Sequence, residues 1–252
     1  EMGVAIRDAF VAPAGSTLLA FDYSQIEMRV LAALSEDEVL MTVFREENDV
    51  HTSVASRVFN VAEKDVTSEM RRRAKVINFG IVYGMGVNAL KDNLGSTRAE
   101  AQEFYDNYFI TFPKIATYFE EVKSRAKRDG FTTTYFGRHR FFAGLKSPVP
   151  FIRASAERMA MNAPLQGTAA DIIKIAMKRA HDGLEKAELL AEVHLLLQIH
   201  DELLYEVEEG AVEKVRKAVE EAMEHAVEFP VPITVSTAQG PRWGTMEKGG
   251  GD

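Results

Sequence analysis

Residues 65–86 read DVTSEMRRRAKVINFGIVYGMG, and the spacing inside them governs how the rest of the chain is read. Arg71, Lys75, Phe79 and Tyr83 recur at intervals of four, which on an α-helix makes one slightly drifting stripe, two cations below two aromatic rings. Ala74, Ile77 and Ile81 form a separate apolar stripe for docking. Asp65 or Thr67 suits the helix start, and Gly84 and Gly86 suit its end. A triphosphate and a base fit the first stripe. The same spacing also describes a solvated face whose two rings are half buried at a domain contact, and spacing alone leaves both readings open.

Outward from that helix, the 252 residues allow one large core or two modest ones, and 46% hydrophobic with 27% charged residues is an ordinary globular composition. No apolar run approaches the roughly 18 residues needed to span a bilayer, and the chain does not open on a basic segment followed by an apolar one. The expectation is a cytoplasmic protein with no membrane contact. Zero cysteines leave Asp, Glu and His as metal ligands, so any metal is expected to be hard. A net charge of -8 weighs against a broadly basic nucleic-acid surface, but RRRAK at 71–75, KSRAKR at 123–128 and GRHR at 137–140 are local clusters. Each is either a phosphate contact or a solvated face. The opening EMGVAIRDAF reads like the interior of a domain, which leads us to expect a fragment.

In chain order, TLLAFD at 17–22 is an apolar strand ending in a carboxylate, and SQIEMRVLAAL continues with Ile26, Val30 and Ala33 at helical spacing. Ser24 and Glu27 match a capping box, which gives Glu27 a structural role at the helix start. Asp22, an acid ending an apolar strand, is expected to be exposed at a sheet edge or bound to something positive. Asn48 or Asp49 caps a helix with His51 in its first turn, where anions are favoured, although a lone His there is commonly a surface residue. Thr97 and Glu100 form a second capping box, Thr111 and Pro113 open a helix ending at Gly130, and FTTTYFGRHRFFAG is a strand-like excursion broken at Gly137. Pro164 predicts a helix, a break and a helix over 150–181, with Asn162 and Gln166 at the bend. These amides serve either hydrogen-bond readout or the backbone groups freed by the proline. VHLLLQIHDELLYEV at 193–207 is two strands meeting at His200, Asp201 and Glu202, a turn without glycine. An amphipathic helix, a last strand VPITVSTAQG and a glycine-rich tail expected to be mobile complete the chain. The fold class is α+β, an antiparallel sheet backed by helices with a mainly helical module inserted after the first strand.

Asp22 and Asp201 end separate strands, and across an antiparallel sheet such a pair suits two hard cations about 4 Å apart. With a cationic helix for phosphates, the matching reaction class is phosphoryl transfer. FDYSQIEMR at 21–29, RRRAKVINFGIVYG at 71–84 and QIHDE at 198–202 resemble motifs A, B and C of the family A DNA polymerases, in the family's order. NAPLQGTAADI, YFGRHR and DVH are similar to that family as well, so the resemblance covers essentially the whole chain. It implies palm at 1–34, fingers at 35–150 with the motif B helix at about 65–84, and palm again at 151–252. The thumb and the remaining palm segments are expected upstream in a full-length protein.

What the resemblance implies for the site is as follows. Asp22, Asp201 and the main-chain carbonyl of Tyr23 hold two Mg2+ ions, for which Mn2+ substitutes. Arg71, Lys75 and His51 hold the incoming dNTP triphosphate, with Lys75 also catalytic. Phe79 stacks on the base, Tyr83 lies by the templating position, Gln25 lines the nucleotide site, and Glu27 fills the space that a ribose 2′-hydroxyl needs. Asn162, Gln166, His200 and Glu202 contact the DNA primer-template, while Arg29, Arg138 and Arg158 go to phosphate or to internal salt bridges. The implied function is template-directed DNA synthesis with pyrophosphate release. Its rivals are a thumb-less fragment that binds DNA or dNTP without processive synthesis and a metal-dependent phosphodiesterase. A single-subunit RNA polymerase is the nearest relative, and Glu27 argues against it.

Overall fold

The computed structural model describes residues 6–248, so the expected mobile tail, GGGD at 249–252, lies outside the described residues. The elements in order are β1 (Ser16–Tyr23), α1 (Ile26–Ser35), α2 (Glu38–Arg45), α3 (Val50–Val58), α4 (Ser68–Val82), α5 (Val87–Leu94), α6 (Arg98–Thr111) and α7 (Pro113–Asp129). After them come β2 (Phe131–Thr133), β3 (His139–Phe141), α8 (Pro150–Lys186), β4 (Val193–Ile199), β5 (Glu202–Glu208), α9 (Val212–Glu224), β6 (Val235–Gly240) and β7 (Glu247–Lys248). They form two compact units. One draws on residues up to 26, 169–229 and 233 onward; the other is 27–168 with 230–232.

The first unit is built on an antiparallel sheet of order β4-β5-β1-β6-β7. β1 is central, paired from Ser16↔Glu208 to Asp22↔Glu202 on one side and from Leu18↔Gly240 to Tyr23↔Val235 on the other. Period-two alternation sends Leu19, Phe21 and Tyr23 to one face with Leu203, Tyr205 and Val207, all at 3% exposure or less. Each such large side chain adds about 1.5–3 kcal/mol on burial. α9 buries Val212, Val215, Val219 and Met223, and the Tyr23 hydroxyl donates to the Met223 carbonyl at 2.8 Å. The opposite face carries Leu18, Ala20 and Leu204 under Trp243, with Phe10 and Ala12 packed alongside. Asp22 lies on that face and is exposed at the end of a central strand, not at the sheet edge expected of it, because β5 and β6 pair with β1 on both sides up to that residue.

The second unit is mainly helical. Thr67 rather than Asp65 caps α4, accepting from the Met70 amide, and Ala74, Ile77 and Ile81 are buried as their spacing predicts. Thr97 and Glu100 form the expected capping box on α6. α7 opens on Pro113 with Phe112, not Thr111, as its cap residue, and it ends at Gly130 with φ 81°, a left-handed position that favours glycine. β2 and β3 pair as a hairpin turned through Gly137 at φ 87°.

The expectation for Pro164 changes. The helix over 150–181 is not broken: α8 runs 37 residues with Pro164 inside it. The proline ring removes one backbone hydrogen bond and crowds the preceding turn, yet Ala160, Ala163 and Leu165 around it are buried, so packing holds the turns on both sides. The compact units divide after Ile26 and after Thr168. α1 joins the helical unit because Arg29 lies over the Phe44 ring of α2 at 4.6 Å and bonds the Pro232 carbonyl, contacts that periodicity does not report. Ser24 and Glu27 flank the start of α1. α1 starts at Ile26, two residues after Ser24, because Gln25 takes φ 54°, outside right-handed helix. No helix among the described residues is long and apolar enough to cross a membrane.

Candidate active site

On the sheet unit, the two carboxylates arrive at one end of neighbouring strands. β4 and β5 are joined by the two-residue turn His200–Asp201, since Ile199 pairs with Glu202. A turn of this length calls for a positive φ, and His200 supplies it at 54° where glycine is the usual residue. The Tyr23 amide donates to the Asp201 carbonyl at 3.2 Å, fastening the hairpin tip to the end of β1, while Asp22 stands opposite Glu202 in register. The Tyr23 phenol is buried in the core, so only its main chain is left at the strand end. Facing like charges are unfavourable on a sheet. The Trp243 indole offsets this by donating to Glu202 Oε1 at 2.6 Å.

Burial raises the Asp201 carboxyl above its ordinary value, while a hydrogen bond from its own backbone and the charge of His200 pull it down. A carboxylate held where its charge is poorly solvated is a ready ligand for a cation. Among the described residues no cluster of three or more His, Asp or Glu side chains is poised around one point. Two carboxylates with main-chain oxygens nearby fit Mg2+, which takes hard oxygen ligands, keeps several waters and is completed by substrate phosphates.

On the helical unit, α4 presents Arg71, Lys75, Phe79 and Tyr83 as one stripe. Arg71 grips Asp49 through two bonds, Nε to Oδ2 at 2.7 Å and Nη2 to Oδ1 at 3.1 Å. Asp49 meanwhile caps α3 by accepting from the Thr52 amide. Burial raises the Asp49 carboxyl, but the bonds from Arg71 and Thr52 prevail and hold it at about 2. Lys75 is exposed, makes no ion pair among the described residues, and has its ammonium 6.0 Å from the Phe79 ring centre. Tyr83 ends the helix, exposed, and its carbonyl accepts from Asn162 Nδ2 at 2.9 Å. Thus Asn162 satisfies the end of α4 rather than the groups freed by Pro164.

His51 departs from the surface position common for a lone first-turn histidine: it is 3% exposed. Burial lowers its imidazole to about 4, with the Asp49 charge opposing and Arg71 and Lys75 reinforcing the fall. Its ring centre is 6.0 Å from that of Phe79, and its Nδ1 lies 3.0 Å from Asn78 Nδ2. With the amide donating to Nδ1, the ring proton sits on Nε2, leaving an N–H donor for an anion.

The sequence-derived residues therefore fall into two groups. Asp22, Tyr23, Gln25, His200, Asp201 and Glu202 lie on the sheet unit, and the remainder on the helical unit. Arg29 is buried, with its guanidinium over the Phe44 ring. Arg138 bonds the Gly167 carbonyl at 2.9 Å. Arg158 and Gln166 are exposed. Sequence reading passed over Asn78 and Trp243. A polar residue inside the apolar stripe 74-77-78-81 was a usable signal for Asn78; Trp243 lies 41 residues from its partner Glu202 and gave none.

The model of DNA polymerase family A matches residues 1–245. The chain belongs to that family. DNA polymerase I of Bacillus subtilis is 48% identical over 244 residues, which cover 96% of this chain and 28% of that protein. The thermostable DNA polymerase I of Thermus filiformis is 46% identical over 242 residues, 96% of this chain and 29% of that one. A solved structure described as the POL domain of Pol1 from M. smegmatis, in complex with DNA primer-template and dNTP, matches with a TM-score of 0.90 and 42% identity over 97% of this chain and 43% of its own. This family A chain therefore spans less than a third of those DNA polymerase I relatives.

Proposed function

We propose that the chain is the nucleotidyl-transfer portion of a template-directed DNA polymerase, with the sheet unit as palm and the helical unit as fingers. The observation that carries this reading is the pairing of Asp22 and Asp201, held at one end of adjacent strands by the Tyr23–Asp201 backbone bond in a family A chain. Asp22, Asp201 and the Tyr23 carbonyl hold two Mg2+ ions, with Mn2+ as a substitute. When bound, such ions lower the pKa of a primer 3′-hydroxyl and offset charge on departing pyrophosphate.

The chain's own groups do the rest. Lys75 and Arg71 bind the triphosphate of a dNTP, and the neutral His51 donates its Nε2 proton to a phosphate oxygen without bringing a charge of its own. Phe79 stacks on the base and Tyr83 sits beside the template position. Gln25 lines the pocket, and Glu27 occupies the space of a 2′-hydroxyl. Asn162, Gln166, His200 and Glu202 meet the primer-template, with Arg138 and Arg158 towards phosphate. Minor-groove acceptors common to all base pairs let such contacts test pair shape without reading sequence.

Primer extension by a full-length protein carrying this chain tests the reading: Asp22→Ala or Asp201→Ala should abolish incorporation and leave primer-template binding intact. Near-normal extension by either variant would remove the two-metal assignment, and template degradation in its place would favour a phosphodiesterase.

A further inference from the structure

A second surface of the helical unit combines exposed rings with cations that have no acidic partner. Phe141 on β3 and Phe151 at the start of α8 are 73% and 78% exposed. With Arg140, Ile152, Ser155 and Met159 they line one groove of about 350 Å³. Its floor is fixed, because Phe142, Leu145, Ala156 and Ala160 form a buried cluster joining the β3 segment to α8. A side chain at Gly144 would come within 3.0 Å of the Ala156 methyl, so the two walls meet closely.

Charge is concentrated here. In the cluster at 71–75 three of the four cations share two acids, Asp49 and Glu69, and every cation of the cluster at 123–128 is in an ion pair. By contrast Arg140, which lines the groove, and Lys146, Arg153 and Arg158, which lie close to its residues along the chain, make no ion pair among the described residues. The only acid between 135 and 159, Glu157, is held by Lys127 at 3.0 Å. In a chain of net charge -8 this is a local site for a polyanion.

We propose that the groove is a stacking site for unpaired bases of single-stranded DNA. Exposed aromatic faces amid cations bind bases by their π-faces and phosphates by charge, whereas a duplex keeps its bases stacked inside and would use only the cations. Phe151, Ser155, Met159, Asn162 and Gln166 follow one another along one side of α8. That stripe places Phe151 roughly 16 Å along the helix from Asn162. The continuity with a primer-template rests on the polymerase reading; single-strand binding itself does not.

The test is fluorescence anisotropy of this chain with labelled oligothymidylate and with a blunt hairpin duplex. Phe141→Ala/Phe151→Ala should weaken oligothymidylate binding by about tenfold or more and leave duplex binding unchanged. Phe141→Tyr/Phe151→Tyr should restore it by restoring the rings. Equal loss on both DNAs, or no rescue by tyrosine, would overturn the stacking role. Failure of the unsubstituted chain to bind oligothymidylate at low salt would overturn it too and leave the patch to a protein partner. Asp22→Ala should bind oligothymidylate normally, so loss of the catalytic reading and loss of this one are separately visible.

Discussion

Asp201 and His51 are shifted by the same cause, burial, with opposite consequences for stability. The folded Asp201 holds its proton above the ordinary 3.8, so as pH rises the unfolded chain releases that proton first and the fold loses stability, fully so above the folded value. Asp201→Asn should therefore be as stable as the parent or more stable at neutral pH, and the gain should vanish at acid pH in urea denaturation. A neutral-pH loss would contradict burial as the dominant effect. His51 runs the other way: its folded value is near 4 against 6.5, so stability rises between those limits as pH increases. His51→Gln should flatten that slope in the same measurement. Glu27 offers a further residue-scale test, since the capping-box role and a role at the sugar pocket make separable claims. If Glu27 guards the sugar pocket, Glu27→Ala should raise ribonucleotide use by orders of magnitude in single-nucleotide kinetics, and an unchanged ratio would remove that role. That Asp22 ends an apolar strand was readable from the sequence, but that the strand is central was not, because it depends on pairing with β5 and β6 far along the chain. Burial of His51 was not, because it depends on Asn78 27 residues away.

At the scale of elements, α4 shows what periodicity conveys and what it omits. Its apolar stripe, its Thr67 cap and its order of cations and rings were all legible, since each is set within one or two helical turns. That Arg71 also braces the α3 cap through Asp49 was not, because the link joins two helices. The two cations of the stripe should therefore part company on substitution. Lys75→Ala should weaken dNTP incorporation with no change in melting temperature. Arg71→Ala should weaken incorporation and also cost up to about 1 kcal/mol, the usual range for a partly exposed ion pair. Neither should alter primer-template affinity, measured separately from nucleotide kinetics. A fall in DNA affinity with unchanged nucleotide kinetics would make α4 a duplex-binding face. The unbroken α8 carries the complementary lesson: Pro164 predicted a break, and burial of its neighbours overrode the local rule.

For the whole molecule, three basic clusters were legible in an acidic chain, but which of them can meet phosphate was not, because pairing depends on acids supplied by the fold. Arg71, Arg72 and Arg73 are engaged by Asp49 and Glu69, and Lys123, Arg125, Lys127 and Arg128 each have an acidic partner within 4 Å. Ion-paired cations release fewer counterions on meeting DNA, so the effective number of phosphate contacts is set by the remainder, roughly the four cations Arg140, Lys146, Arg153 and Arg158 that make no ion pair among the described residues. Duplex binding by this chain alone should then weaken about 150-fold between 50 and 200 mM salt, following the slope of about -0.9 per contact. Its affinity at the upper salt should be too weak for processive synthesis, the chain having a net charge of -8. Filter binding across that range gives the slope directly. A slope more than twice as steep would mean that the paired clusters open to DNA, and tight binding at physiological salt would show that this chain grips duplex by itself.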